Sequence, residues 1–305
     1  MSQRMALRHM LASGTFVRTV GVHDGLTAIL AERAGFEAVW AGGLGISAAH
    51  GVPDAGLLTM TEFHADAVRI RRVTALPVIA DVDAGFGDVN VVRRMVRLYE
   101  ESGIDAVCIE DKQGPKRNSF RDGNTLEDPE AFAMKISAAK SAQRQGDFVV
   151  IARLESLIAG AGSEDALRRA ELYCSAGADA VLIHSRAQDA GQIAEFCAEF
   201  RARGSSVPIF AVPTTYYTTD FHQLRDLGLA GAIYANQMLR AMIRSGEDLL
   251  ASLARTGSTA EMEPSIAAVS EVFDLVETDK LIGDLPWREL TRIMTGDNTD
   301  AMKAS

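Results

Sequence analysis

The sequence predicts a (β/α)8 TIM-type barrel, and two observations predict it. The first is an echo that recurs four times: Ala34-Gly35-Phe36-Glu37-Ala38-Val39, Ser102-Gly103-Ile104-Asp105-Ala106-Val107, Ala176-Gly177-Ala178-Asp179-Ala180-Val181 and Leu227-Gly228-Leu229-Ala230-Gly231-Ala232-Ile233. Each sets a glycine where a helix ends and then enters an apolar strand, the punctuation of βα units in a parallel sheet. The second is the count of short apolar runs, eight in all, at 17–22, 38–40, 77–81, 105–110, 148–153, 179–184, 208–212 and 231–235. Runs of this length read as strands buried on both faces. A doubly wound open sheet is the alternative, but no Gly-x-Gly-x-x-Gly nucleotide turn favours it.

The segments between the runs are amphipathic and carry start signals. Asp24 is read as the cap of 26–33, Asp88 or Asn90 as the cap of 91–101, Ser163 as a cap, and Thr219 or Asp220 as a later one. Asp128 followed by Pro129 opens 130–143, because proline at the first helical position loses no hydrogen bond. After Asn236 a helix is expected to about 253, then a linker at 255–261, a helix at 264–276 and a frayed tail at 297–305. The expectation is one barrel domain over 1–305, with a helical extension from about 236.

Composition narrows the function classes. The chain has 305 residues, 47% of them hydrophobic and 24% charged, enough for a large core. A net charge of −10 and a pI near 5.2 argue against a nucleic-acid surface. No apolar run approaches the roughly 18–20 residues of a membrane span. The stretch to His9 has positive charge but no continuous apolar region, which reads against a signal peptide. Cys108, Cys174 and Cys197 are odd in number and far apart, suiting free thiols in a reducing compartment, so a cytoplasmic location is expected.

In such a barrel, chemistry gathers at the C-terminal ends of the strands, and here those ends are polar. The fourth run ends in Glu110-Asp111-Lys112-Gln113-Gly114-Pro115-Lys116-Arg117-Asn118-Ser119. Carboxylates, lysines, an amide and a hydroxyl this close suit a metal-bound anion, although a solvated polar loop has the same composition. The third run ends in Asp81-Val82-Asp83-Ala84-Gly85, where alternation sets Asp81 and Asp83 on one side. With Glu110 they make three oxygen donors for a hard cation, or ordinary turn chemistry before a glycine. Arg153 closes the fifth run and needs an anionic partner, either Glu155, a neighbouring strand carboxylate or a substrate. His184 closes the sixth, while His9, His23, His50, His64 and His222 show no paired metal-ligand spacing. Val212 to Tyr217 and Asn236 are read as pocket walls. The 112–125 stretch, with Gly114 and Gly123, reads as a lid that opens and closes.

The segment Glu110-Asp111-Lys112, with Lys116, Asn118 and Ser119, resembles the motif of phosphoenolpyruvate mutases, in the isocitrate lyase/phosphoenolpyruvate mutase superfamily. The resemblance runs from about His23 to Leu275. It implies Mg²⁺ at Asp81, Asp83 and Glu110, and phosphoryl-group chemistry by Asp54, Lys116, Asn118, Arg153 and His184. It further implies substrate contacts at Gly42, Gly43, Leu44 and Ser119, with the Gly43 and Leu44 amides on a carboxylate. Several relatives have serine where Gly42 stands. The implied reaction interconverts phosphoenolpyruvate and 3-phosphonopyruvate, with the enol phosphate favoured, so phosphonate biosynthesis needs a following step. The small-molecule substrate sets no role for nucleic acid or membrane. The superfamily commonly exchanges its C-terminal helices between subunits, which implies a homo-oligomer, a dimer or tetramer.

Three rivals remain. Carbon–carbon lyases of the superfamily carry a catalytic cysteine in a loop that here reads Lys116-Arg117-Asn118-Ser119-Phe120, without one. Phosphonopyruvate hydrolases tend to have threonine at the position of Asn118. A non-catalytic barrel would have lost some of the strand-end charges.

Overall fold

The computed structural model describes residues 5–282. Eight parallel strands close into a barrel in chain order: β1 (Val17–Val22), β2 (Ala38–Ala41), β3 (Val78–Asp81), β4 (Ala106–Glu110), β5 (Val149–Leu154), β6 (Ala180–Ile183), β7 (Ile209–Ala211) and β8 (Gly231–Tyr234), with β8 pairing back onto β1. All eight expected strands are present. The seventh is shorter than its apolar run, because Pro208 and Val212 fall outside the pairing. At all four echoed joints the glycine has positive φ: Gly35 at 76°, Gly103 at 77°, Gly177 at 106° and Gly228 at 88°. A side chain resists that conformation, which is why the same residue recurs there.

Side-chain alternation divides the barrel wall into two cores. Val17, Ala38, Trp40, Ile79, Ala106, Cys108, Val149, Ile151, Ala180, Leu182, Phe210 and Ile233 point inward and fill the bore. Their neighbours, such as Val39, Ala80, Val107, Val150 and Val181, face the helices. A short helix that the sequence reading did not anticipate, Leu7–Ala12, inserts fully buried Leu7 into the inner core.

Helix caps settle the alternatives. Asp24 accepts from the Thr27 amide at 2.8 Å. Asp88, not Asn90, caps Val89–Glu101 by accepting from the Asn90 and Val91 amides. Asp220, not Thr219, caps Phe221–Asp226, and Asp128 with Pro129 opens Pro129–Ala142 as expected. Ser163 is not a cap: Gly162 precedes the helix and Ser163 is its first residue. The stretch after β2 forms a helix, Gly43–Ala49, that the sequence reading did not anticipate.

A compact unit ends at Ile243, within the helix Gln237–Thr256, and a second begins at Arg244. That helix outruns the expected end near 253, so Arg255 is helical and not linker. The expected helix at 264–276 is broken. A 3-10 turn spans Glu263–Ser265, Ile266 is extended, and the helix is Val269–Leu275, followed by Thr278–Ile282. The tail expected to fray at 297–305 lies outside the described residues. Among the described residues no helix is long and apolar enough to cross a membrane, and all three cysteines are free, Cys174 only half-buried.

Candidate active site

The alternation that fills the bore also makes the site. One further inward step lands on Gly42 beyond Trp40, Asp81 beyond Ile79, Glu110 beyond Cys108, Arg153 beyond Ile151 and His184 beyond Leu182. All line one pocket at the C-terminal end of the barrel, with about 590 Å³ of space counted out to its mouth. The same pocket is lined by Gly43, Leu44, Asp54, Asp83, Lys116, Asn118 and Ser119, so every residue singled out for the site is brought together. Of the expected walls, Val212, Thr214 and Asn236 line the pocket, while Pro213, Thr215, Tyr216 and Tyr217 do not; Trp40, Lys112, Phe120 and Ala235 complete the lining.

Asp83 reaches the pocket by a route that alternation did not foresee. The strand stops at Asp81, and Asp83 has φ 48°, a left-handed conformation that costs a non-glycine residue energy. The turn is held by the Asp83 carbonyl, which accepts from the Glu110 amide at 2.8 Å.

Two polar networks share the pocket. In the first, Lys116 bonds Asp54 at 2.5 Å and also bonds Asp83, while the Asn118 amide donates to Asp54 at 2.9 Å. Burial would lower the Lys116 pKa, but Asp83, Asp81 and Asp54 outweigh it and hold it above the ordinary lysine value. Asp83 is pushed up to about 6 by burial, which the Lys116 charge only partly offsets.

In the second network, Arg153 donates from Nε to Glu155 at 2.5 Å and from Nη2 to His184 Nδ1 at 2.9 Å and Ser119 at 3.1 Å. Arg153 and Glu110 are register partners across β4 and β5, with Nε 3.7 Å from the Glu110 carboxylate. Burial works against ionisation of Glu155, yet Arg153 and then His184 hold its pKa well below the usual range. Glu110, further from the guanidinium, is pushed up to about 8 by burial despite Arg153 and Lys112. Burial lowers the His184 pKa against the opposing pull of Glu155. A guanidinium only donates, so the 2.9 Å contact with Arg153 calls for the ring proton on Nε2. Glu155 Oε1, 2.8 Å from the same Nδ1, calls for the opposite tautomer, with the proton on Nδ1.

Counting unused donors shows what the pocket takes. Of the three Lys116 hydrogens two are spent, and one of the two on the Asn118 amide. Arg153 Nη1 bonds nothing among the described residues, and His184 Nε2 is buried without a partner. Lys116, Asn118 and Arg153 Nη1 converge as a donor set for the oxygens of an anion, joined by His184 Nε2 in the tautomer that carries its proton there.

The carboxylates are interleaved with these donors: Asp54, Asp81, Asp83 and Glu110 line the pocket with Lys112, Lys116 and Arg153, and Glu155 stands behind Arg153. Asp81 has no ion-pair partner among the described residues and accepts only from backbone amides, that of Gly43 at 3.2 Å among them. No three acidic, histidine or cysteine groups among the described residues form a ready cage. Mg²⁺ does not need one, since it keeps several waters and takes one or two carboxylates. The donor set fits it, with Asp81 the foremost ligand.

Some functional groups were not legible beforehand. Glu155 was considered only as a partner for Arg153, yet it is fully buried and joins Arg153, His184 and Ser119. Behind it Asp111 accepts from the Glu155 amide at 2.9 Å, from Tyr173 at 2.9 Å and from Arg169 at 3.2 Å. Gly42 also has a reason invisible in its motif: a Cβ there would stand 2.6 Å from Trp40 Cδ1 and Nε1.

The family model for phosphoenolpyruvate phosphomutase matches residues 7–254. The chain belongs to the phosphoenolpyruvate phosphomutase family. It is 40% identical to the phosphoenolpyruvate phosphomutase of Streptomyces hygroscopicus over 285 residues, 91% of this chain and 88% of that one. The crystal structure of phosphoenolpyruvate phosphomutase from Streptomyces platensis subsp. rosaceus superposes with a TM-score of 0.88 at 44% identity, covering 90% of this chain and 95% of that one. A phosphonopyruvate hydrolase in complex with oxalate and Mg²⁺ superposes with a TM-score of 0.85 at 36% identity, covering 92% and 97%.

Proposed function

We propose that the enzyme interconverts phosphoenolpyruvate and 3-phosphonopyruvate by moving the phosphoryl group within one substrate molecule. The observation that carries this reading is the convergence of the unspent Lys116, Asn118 and Arg153 donors on a pocket that also holds Asp81, Asp83 and Glu110. No cysteine lines it, and the Ser119 hydrogen goes to Glu155 at 2.7 Å. Direct transfer needs no protein nucleophile: the bond from phosphorus to the C2 oxygen breaks, the bond to C3 forms, and no water or proton is consumed.

The residues divide the work. Arg153 Nη1, His184 Nε2, Lys116 and Asn118 bind the phosphoryl oxygens and follow them through a loose transition state. Gly43 and Leu44 stand at the start of a helix, where the Gly43 amide donates to Asp81 at 3.2 Å and would turn to the substrate carboxylate once Asp81 is engaged by the metal. Mg²⁺ held by Asp81, with Asp83 and Glu110, would neutralise charge on the carboxylate end of the substrate. Phe120, edge-on to His184 with ring centroids 6.0 Å apart, excludes water from above. Asp54 fixes Lys116 and Asn118 together over the reacting group.

With this reading go a cytoplasmic location and a homo-oligomer of two or four subunits that exchange C-terminal helices. The exposed Val269, Phe273 and Leu281 supply apolar surface for such an exchange. The test is ³¹P NMR of the protein with phosphonopyruvate and Mg²⁺. A phosphoenolpyruvate resonance is expected. Inorganic phosphate as the sole product makes the enzyme a hydrolase, and no turnover overturns both.

A further inference from the structure

Ser119 stands apart from the other pocket residues because its hydroxyl has nothing left to give. It accepts from Lys112 Nζ at 2.9 Å and from Arg153 Nη2 at 3.1 Å, and it donates to Glu155 at 2.7 Å. One hydrogen and two lone pairs are the whole capacity of a hydroxyl. The residue is 4% exposed, so water does not share in this bonding.

The position of Ser119 gives that saturation a purpose. The segment from Lys112 to Leu126 is pinched at its neck, where Gln113 bonds Thr125 and Glu127 bonds Asp111, each at 2.9 Å. Beyond the neck the lid is tied down on two sides. On one, Lys116 and Asn118 hold Asp54 and Asp83. On the other, Ser119 holds the Arg153 and Glu155 side chains at the end of β5, and buried Lys112 braces it from below while bonding the Arg117 carbonyl at 2.7 Å. The further lid contact of Asp122 with Arg186 is between exposed side chains and adds little.

We propose that Ser119 is a positioning residue: its hydroxyl ties the closed lid to Arg153 and Glu155, so the guanidinium takes its working orientation when the lid is down, and it makes no bond to the substrate. The proposal rests on the phosphoryl-transfer reading above. Without the hydroxyl, Arg153 Nη2 keeps only His184, and on the β5 side the lid keeps only the Phe120 ring contact and the exposed Asp122–Arg186 pair. The guanidinium then loses orientation and the lid lifts during turnover. Water reaches the phosphoryl group: the carbon–phosphorus bond breaks, a water oxygen bonds phosphorus, and the enolate left behind takes a proton at C3 to give pyruvate.

The experiment compares Ser119→Ala, Ser119→Thr and Lys112→Met with the unmodified protein. In Ser119→Ala, kcat should fall about ten- to a hundredfold, as for loss of a hydrogen bond to a charged group, with KM moving less. The ratio of phosphate to phosphoenolpyruvate should rise, and Ser119→Thr, which keeps the hydroxyl, should restore it. Hydrogen exchange of 113–125 without any ligand should quicken in Ser119→Ala and Lys112→Met while the strands stay protected. A rise in KM at unchanged kcat and unchanged lid exchange makes the hydroxyl a binding group and overturns the proposal. Unchanged product ratio and lid exchange in Ser119→Ala overturn it as well. If Ser119→Ala does not fold, the Lys112→Met exchange pattern decides. If the unmodified protein makes no phosphoenolpyruvate, the transfer reading fails, while the lid-exchange comparison still decides whether Ser119 is the anchor.

Discussion

Replacing Gly42 with serine sets two effects of known size against each other. Gly42 is the N-cap of Gly43–Ala49, with φ −88° and ψ 137°, a conformation that serine adopts freely. A serine hydroxyl at a cap improves on glycine by a few tenths of a kcal/mol. Its Cβ, however, would stand 2.6 Å from both Cδ1 and Nε1 of Trp40, far inside contact distance. Trp40 is 3% exposed and packs in the inner core, so the indole has no cheap place to go. Overpacking of this kind costs about 1–3 kcal/mol and outweighs the cap. Gly42→Ser should therefore lower the melting temperature by roughly 2–10 °C, read by calorimetry or circular dichroism. Oxalate affinity should drop with it, because the displaced ring enters the pocket. Adding Trp40→Phe should recover much of the loss, a non-additivity expected of touching side chains. A melting temperature equal to or above that of the unmodified protein, with the indole in place, would refute the reasoning.

Three further outcomes are expected. Asn118→Ala should cut phosphoryl transfer by about 10²-fold, as loss of one anion donor does, and leave Mg²⁺ binding intact; near-normal turnover in the ³¹P assay contradicts that role. Stripping metal with EDTA should abolish turnover and Mg²⁺ restore it, and Asp81→Ala should harm Mg²⁺ affinity by calorimetry more than Asp83→Ala or Glu110→Ala; equal affinity in Asp81→Ala removes it as the leading ligand. Burial lowers the His64 pKa below its ordinary value, so the unfolded chain takes a proton first and stability is lost as pH falls below about 6.5. His64→Gln should flatten that acid limb, and urea midpoints at two pH values that fall in parallel for both proteins would exclude the effect.

The fold was legible because its cues are local. A glycine ending a helix, a run of apolar residues and an aspartate before a proline each act within a few positions, and the barrel follows from their repetition. The site was legible in its members but not in its bonds. Lys116 meets Asp54 across 62 positions and Ser119 meets Glu155 across 36, and no spacing rule reaches that far. Ser119 accordingly looked like a substrate contact, whereas its hydroxyl is saturated by protein groups. Asp111 was visible as a member of the motif but not as a buried brace, and Arg169 and Tyr173 gave no signal, because a residue in a second layer looks like any other on a helix. Gly43–Ala49 escaped notice since three glycines within 42–45 weigh against a helix, and packing of Ile46 in the core outweighs them.

The shared parity of core and site restricts how such a protein can change over generations. Adding or removing one residue within β4 or β5 would turn Glu110 or Arg153 toward the helices and send their outward apolar neighbours into the bore. Length changes in the strands are therefore closed to this lineage, whatever chemistry selection favours. Exchanges at the inward position that follows the last packed residue of a strand are open where a side chain already stands there, as at His184, whereas at Gly42 the Trp40 indole closes that route. A descendant with a new substrate should then differ at strand-end positions such as 184, on loops at positions such as 118, and in the lengths of its connecting loops, while its strands keep their residue count.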